Sequence, residues 1–284
     1  SLLGGLLARE HDVTLVGRDP HVARVASDGL RVTGVEQFHV SPAARTDVPA
    51  RADLAVVAVK SYDTAAVAEQ LADCDLGACL SVQNGMGNEA RLGDALSCPV
   101  LAGTCTYGAR LRDPGAVAFT GRGGVVVGAR AGGESAAADR VGEAFADAGV
   151  ETTVATDMPT RLWVKLAVNA GVNATTALAR VENGALAGGP GGSLAAAAAR
   201  ETARVARERG VDLSDERAVG RTRQVVRDTA ANRSSMLEDV AAGRRTEIDA
   251  VNGYVVEAAD DPVPVNETLT RLVRAWERGR ADGD

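Results

Sequence analysis

The sequence has almost no lysine. Of its 31 basic residues, only Lys60 and Lys165 are lysine, and all the others are arginine. Arginine keeps its proton in proteins, whereas a buried lysine can release one. A task that requires a proton donor therefore resists replacement of lysine by arginine. The two lysines that the sequence retains are therefore the first candidates for functional residues.

Several protein classes are excluded by what is missing. No apolar run approaches the ~20 residues of a membrane span, and no basic start precedes an apolar run, as a signal peptide requires. The 4 cysteines contain no Cys-x-x-Cys pair, which argues against a zinc site and fits a reducing cytoplasm. The net charge of −7 argues against nucleic acid or an anionic membrane as partner. We expect a cytoplasmic globular protein without a metal site.

The glycine-rich turn of a dinucleotide-binding fold is also missing. In a Rossmann-type fold this turn follows the first strand and brings the pyrophosphate to a helix N-terminus. Here no Gly-x-Gly-x-x-Gly sequence occurs, and residues 1–10 already have the pattern of an amphipathic helix. We interpret that helix as the one that follows such a turn. The first strand and its glycine loop are expected just before Ser1.

The remaining pattern divides the chain near residue 155. Before that point apolar strands alternate with helices, which predicts a Rossmann-type α/β fold with a doubly wound parallel sheet. Strands are predicted at 12–17, 30–33, 38–40, 53–59, 78–82, 99–104 and 150–154, with a hairpin excursion at 105–130. Helices alone are predicted afterwards, at 158–180, 193–209, 215–230, 234–242, 245–260 and 266–279. We expect a dinucleotide-binding domain at 1–155 and a helical substrate and catalytic domain at 156–284.

A polar stripe runs along the helix predicted at 158–180. Lys165, Asn169 and Asn173 recur every four residues, which keeps them within roughly 80° on one helix face. The positions between them are mainly apolar, so the helix is expected to be largely buried. Buried ammonium and amide groups need partners, so a neighbouring helix satisfies them or they face a polar ligand. In the second case the stripe supplies one proton donor and two orienting amides.

Other candidates follow strands. Arg18 comes at the end of the strand predicted at 12–17, which is interpreted as the second strand of the Rossmann-type fold. An arginine at that place suits the 2′-phosphate of NADP, although the adjacent Asp19 leaves NAD open. Lys60 and Asn84 each follow a buried strand, where a doubly wound sheet places its ligand crevice. Arg18 as a solvated charge and Lys60 as a surface lysine are the ordinary alternatives.

Together these features resemble the ketopantoate reductase (2-dehydropantoate 2-reductase) family. The resemblance covers nearly the whole chain. It rests on Gly17-Arg18, Val59-Lys60, Gln83-Asn84-Gly85-Met86-Gly87, the Trp163–Asn169 segment with Asn173, and Asn232–Asp239 followed by Arg245–Asp249. It implies this two-domain fold and the NADPH-dependent reduction of ketopantoate to pantoate, a step of pantothenate and coenzyme A biosynthesis.

The resemblance also implies roles for individual residues. Lys165 is the general acid that protonates the ketone oxygen. The substrate-binding residues are Asn84, Asn169, Asn173, Ser235 and Glu247. The cofactor contacts are Arg18, Lys60 and Asn84. Two ordinary alternatives remain, because Glu247 can be a charge at a helix N-terminus and one of the serines at 234 and 235 can serve only as a helix cap.

The sequence does not exclude two other functions. One is a reductase of another 2-oxo acid or an imine, which would keep Lys165 but need not keep Asn173, Ser235 and Glu247. The other is a truncated, non-catalytic nucleotide-binding copy. The absent glycine loop favours that second function, and the intact set of Lys165 and Glu247 argues against it. The sequence does not decide between a monomer and a homodimer.

Overall fold

The computed structural model describes residues 1–281, which form two compact units. The first unit comprises Ser1–Val59, Asp63–Gln83 and Glu89–Met158. The second comprises Lys60–Tyr62, Asn84–Asn88 and the chain from Pro159 onward. Two short segments that follow strands of the first unit are thus part of the second. Residues 282–284, the end of the domain predicted at 156–284, lie outside the described residues.

The first unit contains strands and five helices. The strands are β1 (Thr14–Val16), β2 (Leu30–Gly34), β3 (Phe38–Val40), β4 (Ala43–Arg45), β5 (Arg51–Val57), β6 (Asp75–Ser81), β7 (Val100–Cys105), β8 (Gly108–Asp113), β9 (Ala116–Gly121), β10 (Val125–Ala129) and β11 (Thr152–Val154). The helices of this part of the chain are α1 (Leu2–Leu7), α2 (His21–Asp28), α3 (Thr64–Leu71), α4 (Asn88–Ala95) and α5 (Ala136–Asp147). A 3₁₀ turn, Ser61–Asp63, leads into α3.

Three sheets organise these strands. The largest has the order β11-β10-β7-β6-β5, in which β5, β6 and β7 are parallel and β10 is antiparallel to β7. A second sheet has the order β3-β2-β9-β8, and β1 pairs in parallel with β4 in a third. Leu80, Phe119 and Phe145 are among the fully buried side chains of the core of this unit. The α/β class predicted from the alternation is confirmed.

The second unit is helical. Its helices are α6 (Met158–Ala179), α7 (Gly189–Glu208), α8 (Asp215–Asp228), α9 (Ser235–Ala241), α10 (Tyr254–Ala258) and α11 (Pro264–Ala281). A 3₁₀ turn covers Asn183–Leu186, and a π-helical turn covers Asp249–Gly253. Buried alanines dominate where α6 meets α7, and a Cβ on Gly171 would lie 2.6 Å from the carbonyl oxygen of Ala195. Small side chains therefore let these helices pack closely in a chain that has few aromatic residues.

Three elements differ from the sequence pattern, each for a local or tertiary reason. The strand β4 was not predicted, because Ala43-Ala44-Arg45 has no apolar alternation; it forms by pairing with β1. Helix α7 begins at Gly189 rather than 193, with a proline in its first turn, where the fixed φ of proline suits a helix. The helix predicted at 245–260 is instead a loop, the π-helical turn and α10.

Tertiary hydrogen bonds explain the interrupted helix at 245–260. The backbone N–H and hydroxyl of Thr246 both donate to the carboxylate of Glu277 at 2.7 Å. The buried amide of Asn252 donates to the carbonyl oxygen of Ala170 and to Asn266. These bonds hold the segment against α6 and α11 and override its helical propensity. In residues 1–281, no helix combines the length and apolar character needed to cross a membrane.

Candidate active site

Helix α6 carries the predicted polar stripe in a largely buried setting. The Nζ atom of Lys165 is shielded from solvent. Asn169 is half-buried and Asn173 is buried. The apolar neighbours Leu166 and Ala170 pack into the core of the second unit, which fixes the direction of the stripe. The structure therefore places an ammonium and two amides along one face of a rigid helix.

The segment after β6 packs on the π-helical turn. The N–H of Met86 donates to the carbonyl oxygen of Ala250 at 2.9 Å. Gly85 has a φ of +79°, and a Cβ there would lie 2.6 Å from the same oxygen. The side chain of Asn88 donates to the carbonyl oxygen of Asn84 at 3.0 Å. Position 85 therefore requires glycine, both for its left-handed backbone and for its close contact with Ala250. The hydrogen bonds of Met86 and Asn88 hold Asn84 in the second unit.

Lys60 lies between two buried carboxylates. Its Nζ donates to Oδ2 of Asp239 at 2.7 Å and to Oε2 of Glu247 at 3.3 Å. The other oxygen of Glu247 accepts the N–H of Ser61 at 3.0 Å. The other oxygen of Asp239 accepts two bonds from Arg244, at 2.8 and 3.1 Å. The segment that follows β5 is therefore joined to α9 and to the loop after it by charge-assisted hydrogen bonds.

The surroundings of Lys60 keep it protonated. Burial lowers the pKa of its ammonium, but the charges of Glu247 and Asp239 and their hydrogen bonds outweigh burial, so the pKa lies above the ordinary lysine value. The two carboxylate side chains are only 4% and 7% exposed, against 35% for Lys60. Lys60 is therefore cationic near neutral pH, and its raised pKa makes it a weaker proton donor. Of the two lysines, this leaves Lys165 as the candidate acid.

The first turn of α9 distinguishes the two adjacent serines. The Oγ of Ser234 accepts the N–H of Leu237 at 3.1 Å and shares a 2.8 Å hydrogen bond with the hydroxyl of Thr176 on α6. Ser234 is therefore the helix cap and is buried. Ser235 is exposed and its side chain is not used by the cap. A ligand can reach Ser235 but not Ser234.

Arg18 belongs to the first unit, at the end of β1. Its guanidinium donates to Asp63 at 2.9 Å, and its side chain is 84% exposed. Asp19 accepts the N–H of Ala23 at 3.1 Å in the first turn of α2. The carboxylate of Asp19 is thus engaged by its own helix, while the donors of Arg18 that do not bind Asp63 remain open to solvent.

The sequence did not assign roles to Asp239 or Arg244. Asp239 closes the segment Asn232–Asp239 on which the family resemblance rests, and that position was the available signal. Its partner Lys60 is 179 positions away in the chain, so no local pattern could have linked them. Asn252 was also missed, because a single asparagine in a helical pattern carries no signal of its tertiary partners.

The comparisons with known proteins agree over nearly the whole chain. The family model described as ketopantoate reductase PanE/ApbA matches residues 1–132, and the model described as ketopantoate reductase PanE/ApbA C terminal matches residues 157–277. A 2-dehydropantoate 2-reductase of Halobacterium salinarum is 45% identical over 291 residues, covering 98% of this chain and 95% of that protein.

Solved structures show the same fold. A PanE/ApbA family ketopantoate reductase from Ralstonia eutropha JMP134 is 32% identical, with a TM-score of 0.90 over 98% of this chain and 95% of that one. A D-mandelate dehydrogenase in complex with NADH and anilino(oxo)acetate has a TM-score of 0.91 at 21% identity, over 99% of this chain and 95% of that one, which shows the fold alone. The family models and the 45% identity go further than fold: this chain belongs to the ketopantoate reductase family.

Proposed function

We propose that this protein reduces 2-dehydropantoate to pantoate with NADPH. The observation that carries the substrate assignment is the 45% identity, over 98% of the chain, to a relative named for this reaction. The fold alone does not identify the substrate, because a D-mandelate dehydrogenase has the same fold. The side chains of the second unit fit a small, polar 2-oxo acid with a hydroxyl group.

The donors of Arg18 and those of Lys60 each suit one part of a phosphorylated dinucleotide. Arg18 presents an exposed guanidinium, whose planar set of N–H donors suits a phosphate, and its ion pair with Asp63 is solvent-exposed and easily exchanged. The ammonium of Lys60 has three donors, of which Asp239 and Glu247 use two. We assign Arg18 to the 2′-phosphate and Lys60, with Asn84, to the nicotinamide half. When bound, the reduced nicotinamide supplies a hydride.

Lys165 is proposed as the general acid. Reduction of a ketone places negative charge on its oxygen, and a nearby ammonium both stabilises that charge and donates the proton. The Nζ of Lys165 is out of contact with solvent, so its charge is weakly screened and acts strongly on a bound ketone. Lys60 has a raised pKa and arginine keeps its proton, so Lys165 is the suitable donor among the cationic side chains.

The other polar groups orient the substrate. Glu247 is fixed by Ser61 and Lys60 but keeps lone pairs that can accept a bond from the substrate hydroxyl. Asn169 and Asn173 lie on the same helix face as Lys165, and their amides can hold the carboxylate and the ketone. The exposed hydroxyl of Ser235 is a further donor. We assign Asn84, Asn169, Asn173, Ser235 and Glu247 to substrate binding.

We expect the full-length protein to oxidise NADPH faster with 2-dehydropantoate than with pyruvate or 2-oxoisovalerate. Neither alternative has a hydroxyl for Glu247, so kcat/KM should fall by at least about tenfold, the effect of one lost charge-assisted hydrogen bond. Absorbance of NADPH follows the reaction directly. Equal kcat/KM for the three acids would remove the substrate assignment and leave only a 2-oxo acid reductase.

Cofactor choice is expected to depend on Arg18. Arg18→Ala should raise the KM for NADPH by about tenfold or more and leave the KM for NADH nearly unchanged, because only NADPH has the 2′-phosphate. Arg24→Ala is the matched control, since Arg24 is also an exposed arginine of the first unit, paired with Asp28. A similar rise for both cofactors in Arg18→Ala would show that Arg18 does not recognise this phosphate.

A further inference from the structure

A concave site lies on the helical unit, away from the polar stripe of α6. It encloses about 470 Å³ between the end of α6, the face of α9 and the end of α11. Leu237, Val240 and Trp276 provide apolar surface, and the guanidinium groups of Arg180, Arg233 and Arg280 surround it. Volumes of this size are typical of small-molecule sites.

The pocket lies on the face of α9 opposite to the face that carries the candidate active-site residue Ser235. At about 100° per residue, Leu237, Val240 and Ala241 point roughly 140–240° from Ser235 around the helix axis. Asp239, which binds Lys60, lies within about 40° of Ser235 on the same scale. The arginine-lined pocket is thus separated from the proposed substrate residues by the body of the helix.

Arg180 occupies a backbone position that normally belongs to glycine. It follows the last residue of α6 with a φ of 55°, and among residues 1–281 no other non-glycine residue has a positive φ. The N–H of Val181 donates to the carbonyl oxygen of Thr176 at 3.1 Å, the bond of a Schellman motif with Arg180 at the left-handed position. A side chain there has a steric cost that glycine avoids. Such an outlier is a reason to look for a role of the side chain.

Within residues 1–281, the charge of the pocket lining is positive and only partly compensated. Arg233 is paired with Glu238 at 2.9 Å, and Glu182 is the acidic residue on the lining. Arg280 stacks on the ring of Trp276, with 5.8 Å between its guanidinium carbon and the ring centroid. Arg180 has no hydrogen bond or ion pair within the described chain. Its donors are therefore available to an anion.

We propose that this pocket binds a small phosphate monoester with a planar or aliphatic body. Three guanidinium groups that come from three separate elements suit a tetrahedral group with three terminal oxygens better than a planar carboxylate. The ring of Trp276 and the side chains of Leu237 and Val240 supply the surface for the body of the ligand.

Phenyl phosphate is the probe for this site. Titration calorimetry with the full-length protein should give a Kd of about 1 mM or tighter, and phenol and benzoate should bind at least about tenfold more weakly. Binding should quench tryptophan fluorescence, and Trp276→Phe should abolish the quenching while Trp163 remains. Phenol binding as tightly as phenyl phosphate would overturn the proposal.

The decisive variant is Arg180→Gly. It removes the guanidinium but relieves the left-handed backbone, so its melting temperature should equal or exceed that of the wild type while the affinity for phenyl phosphate falls about tenfold or more. Arg280→Gln should weaken binding similarly. The matched control Arg209→Gln, at the end of α7 and paired with Asp260, should have no effect. Wild-type affinity in Arg180→Gly would overturn the proposal, as would loss of binding in Arg18→Ala, which would place the probe in the other unit.

Discussion

Replacement of Lys165 by alanine is expected to lower kcat by about 10²–10⁴-fold, the range for loss of a general acid. The affinity for the dinucleotide should barely change, because Lys165 lies on α6 in the helical unit and is assigned to the ketone oxygen. Steady-state kinetics with saturating 2-dehydropantoate, together with a cofactor titration, measures both quantities. The matched control Arg221→Ala removes an exposed cation of α8 and should retain the wild-type kcat.

Lys165→Arg separates proton donation from charge. Guanidinium keeps the positive charge but does not give up a proton near neutral pH, so kcat should remain nearly as low as in Lys165→Ala. If Lys165 were only a structural cation, both substitutions would lower the melting temperature while the activity per folded molecule survived. A near-normal kcat in Lys165→Arg would refute the proton-donor role and direct attention to Glu247 acting through water.

Lys60→Met is expected to cause the largest loss of stability. It leaves the buried carboxylates of Asp239 and Glu247 without the cation that lies between them. Breaking a buried ion pair from one side costs about 3–5 kcal/mol, and we expect the lower end because Lys60 is partly exposed. Urea unfolding at pH 7 measures the change. The control Arg51→Met breaks the exposed pair with Asp75, 3.8 Å apart, and should cost less than about 0.5 kcal/mol.

The pH dependence of this loss tests its cause. The pKa of Lys60 is raised in the folded protein, so its contribution to stability is complete below the unfolded lysine pKa of about 10.4 and is lost as the pH rises through the folded value. The difference in unfolding free energy between the wild type and Lys60→Met should therefore be constant near neutrality and shrink above about pH 10.4. A difference that stayed the same at alkaline pH would mean that lost packing, rather than the ion pair, explains the destabilisation.

The sequence by itself determined the fold class and the stripe on α6. Both depend on periodicity, because alternating strands and helices and a four-residue spacing are written in consecutive residues. The scarcity of lysine drew attention to Lys60 and Lys165 before any geometry was known. Five short segments in order then indicated the family, which the comparisons confirm.

Tertiary structure alone decided which distant groups meet and which alternatives hold. Lys60 and Glu247 are 187 positions apart, and only folding shows that they pair and that Asp239 and Ser61 complete the cluster. The hydrogen bond that Ser234 accepts from the N–H of Leu237 identifies it as the capping serine, its contact with Thr176 on α6 buries it, and Ser235 is left exposed. The π-helical turn at Asp249–Gly253 likewise arises from partners on other helices. Such pairings depend on which surfaces the folded chain brings together, and the physical reason that sequence patterns miss them is that periodicity records only local backbone geometry.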